Sequence, residues 1–325
     1  FEDYADAIVS LGADGYWPLD GDASDASGND RDGNALNGVQ FGVTGALNGV
    51  PGTAARFDGN DDRVDLPADV LDGASDVTTV LWFRTSDANG ASLLSAAAGN
   101  NNNEFLIWAH SATEVRIYTG QTTNSYLSWN VPDIADDTWH QLAVVRNQTV
   151  GEIELYLDGV SQGAQQTTLT TLQVGNGGLM IGQEQDSVGG SLNPSESWTG
   201  DIDELAIFRS LLGAEDIQAL YAFGVNGPVG GPVGPVQDLT LTGNTIVAGV
   251  SGMRLLAAAS GLLTGNDVSG GVTGLDLRSP FTGMITDNRI HDAGLGVFYG
   301  ASAVLAANEV YDNVTGVQVT VSGGD

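Results

Sequence analysis

Apolar and polar residues alternate in short runs through the first two thirds of the chain. The runs are Ala55–Asp58, Arg63–Leu66, Val77–Phe83, Phe105–Trp108, Val115–Tyr118, Trp139–Val145, Ile153–Leu157 and Leu205–Phe208. A period of two places alternate side chains on opposite faces of a strand, so each run predicts a half-buried strand. Turn-forming pairs separate them: Asp58-Gly59, Asn89-Gly90, Asp158-Gly159 and Asn176-Gly177. Helical spacing is clearest over Gly213–Ala222, where Ile217, Leu220 and Tyr221 share a face and Glu215 and Asp216 sit near the positive end of the helix dipole.

Beyond residue 225 the pattern changes. Pro228, Pro232 and Pro235 interrupt a Gly-rich stretch, which suits a linker over residues 225–237. A period follows. Asn244, Asn266, Asn288 and Asn308 are 22, 22 and 20 residues apart, and Gly252, Gly274, Gly296 and Gly316 keep the same spacing. Each asparagine precedes a short apolar strand. Such a period predicts a solenoid of about four coils over residues 238–325. Stacked asparagines can bond from coil to coil at one corner, and the glycines are expected to permit a tight or left-handed turn at another. Coils rise by ~4.8 Å. A short stack leaves unpaired strand edges at its ends, so further coils or a covering partner are expected.

Composition narrows the chemistry. The 325 residues include 41 acids, ten arginines, no lysine and no cysteine, for a net charge of −31. That charge opposes binding to nucleic acid or anionic headgroups. Absent cysteine and lysine exclude disulfides, thiolate metal sites and nucleophiles, Schiff bases and P-loop chemistry. No run is long and apolar enough to span a bilayer. The charge is uneven: residues before 225 carry 33 acids and seven arginines, a net −26.

Several segments taken together resemble a known family. They are Gly15–Asp20 with Asp25–Asn29, Ala55–Asp65, Thr138–Arg146, Leu155–Gly159 and Trp198–Arg209, in that order. Residues 1–224 resemble a laminin-G-like jelly roll of the concanavalin A-like lectin/glucanase superfamily. The repeats resemble a right-handed parallel β-helix of the pectate-lyase-like type. The expected fold class is all-β: an antiparallel jelly-roll sandwich plus a short right-handed parallel β-helix.

Both resemblances include enzymes. The jelly-roll glucanases use a Glu-x-Asp-x-x-Glu strand, which sets two carboxylates on one face. The nearest matches, Asp201–Ala206 and Glu152–Leu157, end in an apolar residue where the last acid should stand. In the repeats, Asp276 and Arg278 alternate with leucines, as expected of an ion pair on a strand face. His110, His140 and His291 are scattered, and His140 reads as structural. No catalytic residue is assigned.

Calcium is the expected cofactor, because hard oxygen donors in Asp-rich loops suit it. Jelly rolls of this type often hold one calcium between an N-terminal Asp-rich loop and the last strand, which implies Asp20, Asp25, Asn29 and Asp203 as ligands. Asp58–Asp62 is a second Asp-rich loop. For ligand binding, the Gly99–Glu104 run with Trp108 and Trp129 suggests amide bonding and ring stacking on a sugar, with Asn101, Asn102, Trp108 and Trp129 as candidates. The expectation is a secreted or cell-surface protein without catalysis, an adhesin whose jelly roll binds glycan or an extracellular protein and whose β-helix is a stalk. Two alternatives stand beside it: a subunit that self-associates through the β-helix ends into a filament or sheath, and an accessory module of a polysaccharide-degrading enzyme.

Overall fold

The computed structural model describes residues 3–50, 52–99, 101–120, 125–227, 236–248, 251–255 and 259–319. The chain forms two compact units, Asp3–Pro228 and the chain from Val229 onward. Most of the expected linker, residues 228–235, lies outside the described residues.

The first unit is an antiparallel sandwich. One sheet runs in the order Val160–Gln166, Glu152–Leu157, His140–Asn147, Val77–Arg84, Thr199–Phe208, Thr53–Asp58 and Gln40–Thr44, with Gly15–Trp17 also paired to Thr199–Phe208. The other runs Tyr126–Asn130, Glu114–Tyr118, Asn101–Ser111, Ala91–Ala98, Leu179–Ile181, Arg63–Asp65 and Asn34–Leu36. Leu81, Phe83, Phe105, Ile107, Leu142 and Trp198 meet in one core between them. Phe83 and Trp198 pack edge to face, with centroids 5.6 Å apart.

Strand Val77–Arg84 is buried on both sides, and the period of two explains how. Phe83 enters the sandwich core, whereas Trp82 stacks on Tyr221 of the helix Ala214–Asn226 at 5.7 Å. That helix runs four residues past its expected end. Gly224 does not stop it; a Cβ there would lie 2.2 Å from Trp82 Cζ2, so glycine lets the helix sit close to the ring. A short helix, Tyr4–Ser10, has no counterpart in the sequence reading. Asp3 caps it by accepting from the Asp6 N–H at 2.7 Å, and Tyr4 Oη accepts from Trp82 Nε1 at 3.0 Å.

The second unit is a parallel β-solenoid of about three turns. Among the described residues its strands form three parallel sheets of four: Val236–Thr242, Ala259–Thr264, Phe281–Thr286 and Ala303–Ala306; Thr245–Ala248, Asp267–Gly270, Arg289–His291 and Glu309–Tyr311; Ser251–Leu255, Thr273–Leu277, Leu295–Tyr299 and Thr315–Val319. Leu263, Val268, Leu275, Ile285, Ile290 and Val297 fill the interior.

The repeated asparagines form a directional ladder. Asn244, Asn266 and Asn288 each donate both backbone N–H and side-chain Nδ2 to Oδ1 of the next asparagine, at 2.8–3.1 Å. Nδ2 of Asn266, Asn288 and Asn308 also donates to Leu241, Leu263 and Ile285 carbonyls. Asn266 and Asn288 are fully buried, so every polar atom needs these partners.

The periodic glycines do a different job from the one expected. Gly252, Gly274, Gly296 and Gly316 are absent from the left-handed positions among the described residues. Three of them are needed for space: a Cβ on Gly252 would lie 2.2 Å from Val268 Cγ1, one on Gly274 2.5 Å from Ile290 Cγ2 and one on Gly296 2.6 Å from the Gly316 carbonyl oxygen, whereas one on Gly316 would meet nothing within 4 Å. The left-handed residues instead precede each ladder asparagine: Gly243, Gly265, Asp287 and Ala307, with φ between 54° and 66°.

Candidate metal centre and ligand rim

The best-formed cluster lies just after strand Leu179–Ile181. There the irregular segment Gln183-Glu184-Gln185-Asp186 follows the strand, and the two glutamines pin it. Gln185 is fully buried; its Nε2 donates to the Ser95 and Gly178 carbonyls at 3.2 and 3.0 Å, and its Oε1 accepts from the Gly189 N–H at 2.8 Å. Gln183 Nε2 donates to the Asn193 carbonyl at 2.9 Å, which ties down the short turn Pro194–Glu196. With both glutamines anchored, Glu184, Asp186 and Glu196 converge: one carboxylate oxygen of each lies within 4.8 Å of the others.

The cluster's electrostatics push its buried carboxyls toward the protonated form. Burial, then the charges of Asp186 and Glu196, push the Glu184 carboxyl up to about 8. Burial and Asp186 also raise Glu196. Glu196 Oε2 is buried without a hydrogen-bond partner. Three carboxylates held this close repel one another unless they bind protons or a positive ion. All the donors are hard oxygens, so a calcium ion fits the set.

The Asn-rich run reaches this cluster. Asn102 Nδ2 donates to Asp186 Oδ1 at 2.7 Å. The Asn103 amide, oriented so that both its atoms are satisfied, donates to Glu184 Oε1 at 3.1 Å. The side chain of Asn101 lies outside the described residues. Trp108 is half-buried, paired with Ser92 and Arg116 on neighbouring strands. Trp129 is a core residue: it is 3% exposed and its Nε1 donates to the Gly163 carbonyl at 2.8 Å, so its ring presents no face to a ligand.

The four residues expected to hold calcium divide into two groups. Asp25 accepts from the N–H groups of Tyr16, Ser27 and Arg31 and from Ser27 Oγ at 2.8–3.0 Å. Burial would raise its carboxyl, but those donors outweigh burial and hold it below the usual range. Asn29 Nδ2 donates to the Ala13 and Asp14 carbonyls, so both residues lock the loop. Asp20 and Asp203 instead face the segment 45–53: Asp20 Oδ1 accepts from the Thr53 N–H at 2.5 Å and Asp203 Oδ2 from the Ala46 N–H at 2.7 Å. Asp203 Oδ1 is buried and unpartnered. Burial, then Glu204 and Asp20, raise Asp203 well above the carboxylate range. Glu204 is buried too, bonded to Tyr16 Oη, and its carboxyl is pushed up to about 8. In the loop Asp58–Asp62, Asp62 Oδ2 accepts from the Asp58 N–H at 3.0 Å and closes the turn, and burial raises its carboxyl.

Sequence reading missed Glu184, Asp186 and Glu196. The available signal was three acids within thirteen residues on an irregular, Gly-rich segment after a strand, with glutamines at 183 and 185 alternating with the first two acids.

Of the acids in the two glucanase-like segments, Asp201, Glu152 and Glu154 are engaged by neighbours. Asp201 is buried and bound by Arg56 and Arg84 at 2.6–3.1 Å. Glu152 and Glu154 accept from Gln166 Nε2 and Ser161 Oγ across a hairpin. His140 bridges Asp158 at 2.8 Å and Asp136 at 3.3 Å. In the solenoid, Asp276 is 2% exposed beneath Arg254 and Arg278, more enclosed than the solvated face expected from alternation.

The chain is 28% identical over 147 residues to Sushi, von Willebrand factor type A, EGF and pentraxin domain-containing protein 1 of Rattus norvegicus, a match covering 44% of this chain and 4% of that protein. It is 29% identical over 154 residues to C-reactive protein of Oryctolagus cuniculus, covering 46% and 66%. Among solved structures it is similar to the heptameric SAP-like pentraxin of Limulus polyphemus, with 23% identity, a TM-score of 0.42, and coverage of 49% of this chain and 75% of that one. A family model described as Concanavalin A-like lectin/glucanases superfamily matches residues 58–218, and the sandwich that contains them is a concanavalin A-like jelly roll, followed by a β-solenoid at 239–319.

Proposed function

We propose that this chain is a non-catalytic extracellular adhesin or surface protein. Its jelly roll is a calcium-dependent recognition module for a glycan or a partner protein, and its solenoid is a stalk. The convergence of Glu184, Asp186 and Glu196, with Glu196 Oε2 buried and unpartnered, carries this reading. A calcium ion there supplies positive charge and open coordination positions for ligand hydroxyl or carboxylate oxygens. Asn102 and Asn103 border the same place. In the glucanase-like segments Asp201, Glu152 and Glu154 are bound by neighbours, and neither segment carries the third acid of the glucanase strand. A glycan array in calcium, repeated in chelator, tests the reading. Binding lost in chelator and in Glu184→Gln supports it; binding that ignores both counts against it.

Exposed valines on and beside the strands Ala303–Ala306 and Thr315–Val319 favour a second reading, self-association. Val304, Val314, Val317 and Val319 are 53–90% exposed there. Strand edges with such residues pair readily. Sedimentation of the wild type against Val317→Asp separates the two: concentration-dependent growth that the aspartate abolishes supports assembly, and a monomer throughout removes it.

A further inference from the structure

We propose that a cleft beside Glu104 is a second ligand site, distinct from the carboxylate cluster, and that it takes a short neutral oligosaccharide. The cleft encloses about 710 Å³ and is lined by Glu104, Gln148, Leu169, Thr170, Thr171 and Gln173, among others. Its volume falls within the range of small-molecule sites. None of Glu184, Asp186 and Glu196 lines it.

The polar groups are held in place before any ligand arrives. Glu104 is 8% exposed, and its Oε1 accepts from the Gln173 N–H at 2.9 Å. Behind the wall, Arg146 is 1% exposed and donates to the Ser75 and Thr170 carbonyls, which fixes the loop that carries Thr170 and Thr171. The charges of Glu104 and Asp76 attract that guanidinium. Glu104 is therefore a positioned acceptor whose charge is partly offset. Thr171 Oγ1 donates to Gln148 Oε1 at 3.5 Å and joins the two sides.

This chemistry selects the ligand. A fixed carboxylate accepts hydroxyl protons, and glutamine amides both donate and accept, which together match neighbouring hydroxyls on a sugar. Preorganised groups lose little entropy on binding. The lining holds no Arg, Lys or His, and the surrounding part of the chain is strongly acidic, so phosphate, sulfate and uronate are disfavoured.

The test is saturation-transfer NMR in chelator, with maltotriose, cellotriose, mannotriose and digalacturonate as probes. At least one neutral trisaccharide should bind with a dissociation constant at or below about 10 mM, and digalacturonate should not. Thr171→Trp fills the cleft from an exposed position and should weaken binding at least about tenfold. Gln148→Ala should weaken it too, and serves if the tryptophan variant fails to fold. No binding by any neutral probe, equal binding of digalacturonate, or binding unchanged in a folded variant overturns the proposal. Because calcium is removed, failure here leaves the carboxylate cluster untouched, and failure of the cluster leaves this site standing.

Discussion

Asn102 and Asp186 are 84 residues apart in sequence, yet Asn102 Nδ2 donates to Asp186 Oδ1 at 2.7 Å. The bond joins the start of the strand Asn101–Ser111 to the segment that carries the acid cluster. It joins the asparagine run, expected to form a ligand rim, to the carboxylate cluster proposed to hold calcium.

Calcium should stabilise the jelly roll. A ligand that binds only the folded state at a hundred times its dissociation constant adds about 2.7 kcal/mol. For a unit of this size that raises the melting temperature by roughly 2–4 °C per kcal/mol. Differential scanning calorimetry in calcium and in chelator should show the rise, and Glu184→Gln should remove most of it.

Asn288→Ala should destabilise the solenoid by about 2–4 kcal/mol. It deletes the bonds to the Leu263 carbonyl and to Asn308 Oδ1, and strands the buried Asn266 backbone N–H, while Asn266 Nδ2 keeps only the Leu241 carbonyl. Denaturant unfolding should show the loss in the solenoid transition, with the jelly-roll transition unmoved.

Ala307→Gly should stabilise the same unit by about 1 kcal/mol, because Ala307 holds φ at 54°, where a Cβ is strained. The equivalent positions 243 and 265 already carry glycine. A fall in stability would show that glycine's extra freedom in the unfolded chain outweighs the strain.

His140 gives the jelly roll a pH dependence. Burial lowers its pKa, but Asp158 and Asp136 outweigh that, and the folded value lies above the unfolded one. Its contribution is thus complete below the unfolded value of about 6.5 and is lost as pH rises through the folded value. Melting temperatures measured in chelator should show the advantage of wild type over His140→Gln shrinking as pH rises from acid through neutral. An advantage that grows with pH would contradict the assignment.

Much of the fold was legible because its signals are periodic. The strand Glu114–Tyr118 alternates, and the ladder asparagines recur at nearly fixed spacing. The role of Gly274 and its equivalents was not legible: glycine reads alike whether a site needs φ > 0 or lacks room for a Cβ. The helix Tyr4–Ser10 was hidden by its length of seven residues. The acid cluster was hidden because it depends on the bonds that anchor Gln183 and Gln185, and on Asn102 arriving from a distant strand. Trp129 shows the converse, a ring whose neighbours in sequence suggested a rim and whose register put it in the core.

The central claim is that Glu184, Asp186 and Glu196 hold calcium. Isothermal titration of calcium into the wild type, Glu184→Gln/Asp186→Asn and Asp203→Asn tests it most directly. The account predicts that the double variant loses a calcium-binding event that wild type and Asp203→Asn both retain. Calcium binding that is the same in the double variant as in wild type would contradict it.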